Sequence, residues 1–121
     1  RGASAFITET PIEELSSLNL DQGKVTAICV KDCRSALAWV GAEFYGRPSD
    51  RMDVYGVTGT NGKTTTTQII DHIIKFSRRT SCSLGTLGFN TPSGIVSTSF
   101  TTPESIDLHQ ILKTSLQKYN I

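Results

Sequence analysis

The chain has 121 residues, 37% hydrophobic and 19% charged, with a formal net charge of +1. Its length suits about one domain of roughly 100–200 residues, and its apolar fraction suffices for a packed core, which excludes wholesale disorder. The balanced charge lacks the basic footprint of a nucleic-acid binder, and no apolar run approaches the roughly 18–20 residues of a membrane span.

Arg1-Gly2-Ala3 leads into a short alternating run, not the continuous apolar stretch of a signal peptide. The cysteines are Cys29, Cys33 and Cys82, an odd set without a Cys-x-x-Cys pair. They read as reduced, partly buried thiols in a reducing compartment. His72 and His109 are not spaced to complete a metal site and read as solvated or locally hydrogen-bonded helix residues. The chain does not start with Met and stops just after a helical pattern, so it reads as a fragment.

In chain order, Ala3–Thr8 forms a short strand that Pro11 ends, and Ile12–Leu20 is a connection with a helical turn. Lys24–Val30, rich in β-branched and apolar residues, is a second strand. Asp32 caps a helix over 33–46, with Ala36, Leu37, Val40 and Phe44 on one apolar face beside Trp39. Gly46 and Pro48 stop it. Ser49–Asp53 is a short polar linker, which puts a domain boundary between residues 1–50 and 51–121.

Val54–Thr58 follows as a strand, then a Gly/Thr-rich turn, then a helix from Lys63 to about Ser77. Ile69, Ile70, Ile73, Ile74 and Phe76 form the buried side of that helix, and Lys75, Arg78 and Arg79 sit at its C-terminal end, where the macrodipole favours cations. Cys82–Leu84 is a third short strand, Asn90–Gly94 a turn, and Ile95–Phe100 another strand. Thr102 suits the N-cap of a last helix, with Pro103 at its first position and Glu104 in its first turn. Strand–helix alternation predicts an α/β fold with a parallel sheet.

The chemically informative stretch is Gly56-Val57-Thr58-Gly59-Thr60-Asn61-Gly62-Lys63-Thr64-Thr65. A strand, a glycine-rich turn and a helix follow in order. Glycines allow backbone N–H groups to converge on an anion, and the helix N-terminus adds partial positive charge. Lys63 can reach phosphate oxygens and catalyse by neutralising their charge, and the Thr64 hydroxyl can ligate Mg²⁺. The predicted phosphate contacts are Gly59, Thr60, Asn61, Gly62, Lys63, Thr64 and Thr65. The strict P-loop spacing is not met, because Val57 stands where its first glycine belongs, although Gly62-Lys63-Thr64 is intact. The dinucleotide fingerprint is not met either, since the glycines are spaced G-x-x-G-x-x-G.

This loop, with its threonine run Thr64-Thr65-Thr66, resembles the ATP loop of the Mur ligases and the related folylpolyglutamate synthetases. Leu84-Gly85-Thr86-Leu87-Gly88 and Thr101-Thr102-Pro103-Glu104 resemble the MurE type, the UDP-N-acetylmuramyl-tripeptide synthetases. Gly2–Ala5 and Ala42–Ser49 resemble the end of that family's first domain. The resemblance implies the C-terminal part of an N-terminal α/β domain (1–50), then the start of a P-loop ATP-binding domain with a mainly parallel sheet (51–121). It implies a cytoplasmic ligase that uses ATP and Mg²⁺ to activate the carboxylate of UDP-MurNAc-dipeptide as an acyl phosphate, which an amino acid's amine then attacks. Thr101 and Thr102 would bind the UDP-linked substrate. The family's further metal ligands (a Glu, a His and a carbamylated Lys) have no counterpart in the chain, which is expected to be inactive alone. The expected partners are UDP-MurNAc-peptide and an amino acid, without nucleic acid or membrane, for a monomer. Open alternatives are another Mur ligase, a folylpolyglutamate synthetase, or a non-catalytic nucleotide-binding module.

Overall fold

A computed structural model describes residues 3–15, 25–98 and 102–121. It divides into two compact units, Arg1–Val40 and Gly41–Ile121. The division falls inside one helix.

In the first unit, β1 (Ala5–Thr8) and β2 (Thr26–Cys29) pair in parallel, from Ala5 opposite Thr26 to Thr8 opposite Cys29. Two further bonds extend the ladder: Thr26 N–H donates to Ser4 O and Val30 N–H to Thr8 O, each at 2.9 Å. A parallel pair requires a crossover. Its described part holds α1 (Ile12–Leu15), which buries Leu15. The rest of the expected connection to Leu20, and Lys24 of the expected strand, lie outside the described residues.

Helix α2 (Cys33–Phe44) starts where Asp32 predicts. The Asp32 carboxylate accepts from the N–H groups of Arg34 (2.8 Å) and Ser35 (3.1 Å), and from the Ser35 hydroxyl (2.9 Å). Glu9 Oε1 accepts from Cys33 N–H at 2.7 Å. Three N–H groups that a helix start leaves unpaired are thereby satisfied. The bonds from Ser35 and Arg34 hold the Asp32 carboxyl below its ordinary pKa. The expected apolar face is a correction: Leu37, Trp39, Val40 and Phe44 are exposed, Trp39 at 66%. Periodicity records which helix side favours leaving water, not which segment covers it.

In the second unit, a 3₁₀ turn (Pro48–Arg51) carries the fully buried Pro48. It packs against the last helix, α4 (Ser105–Tyr119). Gly41, also buried, lies against the same helix. A Cβ there would stand 3.1 Å from Ile106 Cδ1 and 3.2 Å from His109 Cδ2. The His109 ring corrects the solvated or hydrogen-bonded reading: Nδ1 is buried and has no hydrogen-bond partner among the described residues.

Val54–Thr58, expected as a strand, has no regular secondary structure, and Val54 and Tyr55 are exposed. A strand exists only against a partner, and no described segment pairs with this one. Helix α3 runs Lys63–Phe76, one residue short of expectation. Its expected buried side is corrected as well: Ile69, Ile73 and Phe76 are exposed, Phe76 at 85%.

Strands β3 (Ser83–Gly85), β4 (Gly88–Thr91) and β5 (Gly94–Val96) form an antiparallel meander in that order. The mixed α/β class is therefore present, with its parallel pairing in β1–β2 and an antiparallel sheet after α3. Thr86 and Leu87 make the two-residue turn between β3 and β4. Gly88 has φ +97°, and a Cβ there would lie 2.7 Å from Val96 O, so glycine lets β5 close on β4. The expected turn at Asn90–Gly94 is narrower, since Asn90 and Thr91 belong to β4. Thr91, buried, closes it: its hydroxyl donates to Gly94 O (2.8 Å) and accepts from Ser93 N–H (3.2 Å). Of the expected strand Ile95–Phe100, β5 covers Ile95 and Val96, and residues 99–101 lie outside the described part.

All three cysteines are free thiols. Cys29 is exposed rather than partly buried, because among the described residues its strand has only β1 beside it. Burial pushes the Cys82 thiol above its ordinary pKa. No helix among the described residues is long and apolar enough to cross a membrane.

Candidate phosphate-binding loop

The loop residues expected to cradle phosphate form one continuous exposed turn at the start of α3. Gly62 is the N-cap, at φ +77° and ψ −3°, a left-handed conformation that glycine adopts without a Cβ penalty. No side chain caps this helix. The first intrahelical bond runs from Thr66 N–H to Gly62 O, at 2.9 Å. The N–H groups of Gly62, Lys63, Thr64 and Thr65 therefore precede the helical ladder, at the positive end of the helix dipole.

Lys63 lies over the same turn. Its ammonium donates to Gly59 O and, at 3.3 Å, to Thr60 O. The ammonium is thus held at the loop, beside the N–H groups that precede the helical ladder. Four backbone donors and one cation make a donor set that suits an anion with several oxygens, such as a polyphosphate. Thr64 offers a neutral hydroxyl oxygen, a ligand type that Mg²⁺ accepts. Among the described residues no three His, Cys, Asp or Glu side chains cluster to hold a metal.

The loop is anchored on both sides. Before it, Asp53 accepts from Arg79 Nη2 at 2.8 Å, an exposed pair that ties the incoming chain to the segment after α3. Exposed pairs of this kind contribute about 0–1 kcal/mol. Behind it, Asp71 on α3 accepts from Lys75 Nζ (2.7 Å), Ser81 Oγ (2.6 Å) and Asn90 Nδ2 (3.3 Å). One carboxylate thereby joins helix, connection and β4. Desolvation pushes the Asp71 carboxyl up, but the bonds from Lys75 and Ser81 outweigh it, and its pKa lies below the ordinary value.

One contact was not foreseen from the sequence. Thr64 Oγ1 and Thr86 Oγ1 are 2.9 Å apart, so the tip of the β3–β4 hairpin touches the loop. The Leu84–Gly88 motif carries the only signal for it. Thr101 lies outside the described residues. Thr102 is an exposed bend ahead of α4, with no hydrogen bond to the loop among the described residues. It does not cap α4: Glu104 holds that position at φ −66° and ψ 161°, and Leu108 N–H donates to Glu104 O at 2.9 Å. Pro103 and Glu104 therefore precede the helix rather than opening it.

Residues 57–121 match the family model for the Mur ligase middle domain. The chain is 39% identical over 113 residues (93% of its length) to the UDP-N-acetylmuramoyl-L-alanyl-D-glutamate--2,6-diaminopimelate ligase of Aquifex aeolicus, covering 22% of that protein. It is 43% identical over 109 residues, 89% of its length, to the ligase of the same name from Clostridioides difficile, covering 21% of it. It is 38% identical over 109 residues, 90% of its length, to UDP-N-acetylmuramyl-tripeptide synthetase 2 of Oceanobacillus iheyensis, covering 21% of it. The chain thus spans about a fifth of the length of these relatives. A glycine-rich loop at a helix start, inside a segment that matches the middle-domain model, places this chain in the Mur ligase family.

Proposed function

We propose that the chain supplies the phosphate loop of an ATP-dependent amide ligase that adds the third amino acid to UDP-MurNAc-dipeptide in peptidoglycan synthesis. The observation that carries this reading is the donor array at the start of α3, where the N–H groups ahead of the helical ladder and the Lys63 ammonium meet. The relatives' names, which specify UDP-MurNAc-peptide ligases and a tripeptide synthetase, support the substrate class.

In this reading Gly59 to Thr65 hold the ATP phosphates. Lys63 leaves the loop carbonyls for the β- and γ-phosphate oxygens and neutralises charge as the γ-phosphoryl group transfers. Thr64 Oγ1 would hold Mg²⁺, which supplies further neutralisation of the phosphate oxygens when bound. A carboxylate oxygen of the dipeptide attacks the γ-phosphorus, and ADP leaves. The incoming amine then attacks the acyl carbon, loses a proton, and inorganic phosphate departs with the original carboxylate oxygen. Phosphorylation is required because a free carboxylate is a poor electrophile. Thr101 and Thr102 bind the UDP-linked substrate. Residues 1–50 close an N-terminal substrate domain, and residues 51–121 open the ATP-binding domain. The ligase works in the cytoplasm, as a monomer, and needs residues beyond these for turnover.

The test follows a heavy-oxygen label in the full-length ligase. With the dipeptide carboxylate labelled, one labelled oxygen is expected in the released phosphate. Released phosphate free of label, with the lost oxygen found in water or AMP instead, would overturn the acyl-phosphate route.

A further inference from the structure

The Thr64–Thr86 contact joins two elements that the sequence keeps 22 residues apart. A threonine hydroxyl has one proton to donate and two lone pairs to offer. If Thr64 Oγ1 is to offer a lone pair to a cation, its proton must point away from that cation. The Thr86 hydroxyl oxygen lies at 2.9 Å and can accept that proton. Thr86 sits in a two-residue turn whose strands are paired from Gly85–Gly88 outward. The turn is held in place by β4, which Asn90 ties to Asp71 of α3. A hairpin tied to α3 thus presents one hydroxyl to the second residue of the helix that follows the loop.

Building on the phosphate-loop reading above, we propose that Thr86 is a positioning residue for magnesium-dependent nucleotide binding: its hydroxyl accepts the Thr64 proton and turns the Thr64 lone pairs toward the cation. Groups that orient a metal ligand are typically worth about 10- to 100-fold in metal affinity. Thr86 is exposed, so its replacement is expected to leave the fold intact.

The experiment measures ADP affinity of the full-length ligase by equilibrium titration, with Mg²⁺ and with chelator. Thr86→Val is expected to weaken binding about 10-fold with Mg²⁺ and to leave binding in chelator unchanged. Thr86→Ser is expected to restore it. Melting temperature without ligand is expected to stay at the wild-type value. In a Thr64→Val background, Thr86→Val is expected to add no further loss, because the effect passes through Thr64. Thr86→Ala replaces Thr86→Val if the latter does not fold. Equal losses with Mg²⁺ and in chelator would make Thr86 a structural anchor only and overturn the proposal. So would wild-type affinity in Thr86→Val, or additive losses in the double variant. If the wild-type ligase itself bound no nucleotide, the phosphate-loop reading would fall first, which separates the two failures.

Discussion

Thr102 changes meaning between sequence and structure. Its place before Pro103 suggests a helix cap, but α4 begins at Ser105 with Glu104 as the cap residue. Freed of that duty, an exposed hydroxyl ahead of α4 is a clean probe of substrate binding. In the full-length ligase, Thr102→Val is expected to raise KM for the UDP-linked substrate about 3- to 10-fold, the loss of one hydrogen bond. Melting temperature and ATP affinity are expected to stay as they are. Thr101→Val is expected to act the same way. A lowered melting temperature with unchanged KM would make the hydroxyl structural. The residue scale also shows which details were legible. Asp32 was read correctly as a cap, because its carboxylate acts on N–H groups two and three residues away. The Thr64–Thr86 contact was not, because it depends on a hairpin folding back over 22 residues.

The element that holds the loop in place is the α3–hairpin clamp at Asp71. Removing its carboxylate leaves the hydroxyl of Ser81, a residue only 6% exposed, without this acceptor. Such a loss costs about 1–3 kcal/mol. Asp71→Ala is therefore expected to speed amide exchange in β3 and β4 about 5- to 150-fold by native-state hydrogen exchange. Unchanged exchange would show that the clamp contributes nothing. The pH dependence follows from the lowered Asp71 pKa. A depressed carboxyl pKa gives stability that is complete above the unfolded value of about 3.9 and is lost as pH falls through the folded value. The clamp should thus hold at neutral pH and loosen in acid, and the Asp71→Ala protein should lack that acid-sensitive step. Helices α2 and α3 were legible from spacing and capping, to within two residues at their ends. What covers their apolar sides was not. Ile69, Ile73 and Phe76 lie open among the described residues, because spacing encodes a preference for burial and not the identity of the covering segment. The 54–58 segment shows the same limit for strands, since β-propensity needs a ladder partner before it becomes structure.

At the scale of the whole molecule, the chain divides into two compact units. The first holds the parallel β1–β2 pair, and the second holds the candidate phosphate loop, the hairpin that touches it and α4. The α/β class and the loop were readable from local order: glycines, Lys63, Thr64 and a helix in sequence. The antiparallel meander after α3 was not, because strand direction is set by a two-residue turn and a glycine at φ +97° rather than by strand composition. The most direct test of the central claim, that this loop holds ATP phosphates, is the ATP affinity and turnover of the full-length ligase carrying Lys63→Ala. The Lys63 ammonium lies at the loop, bonded to Gly59 O and Thr60 O. Loss of a hydrogen bond to a charged group costs about 1.5–3 kcal/mol, so ATP affinity is expected to fall about 10- to 100-fold. Turnover is expected to fall further, because the ammonium also neutralises charge in the transition state. Unchanged ATP affinity together with unchanged turnover would contradict the account.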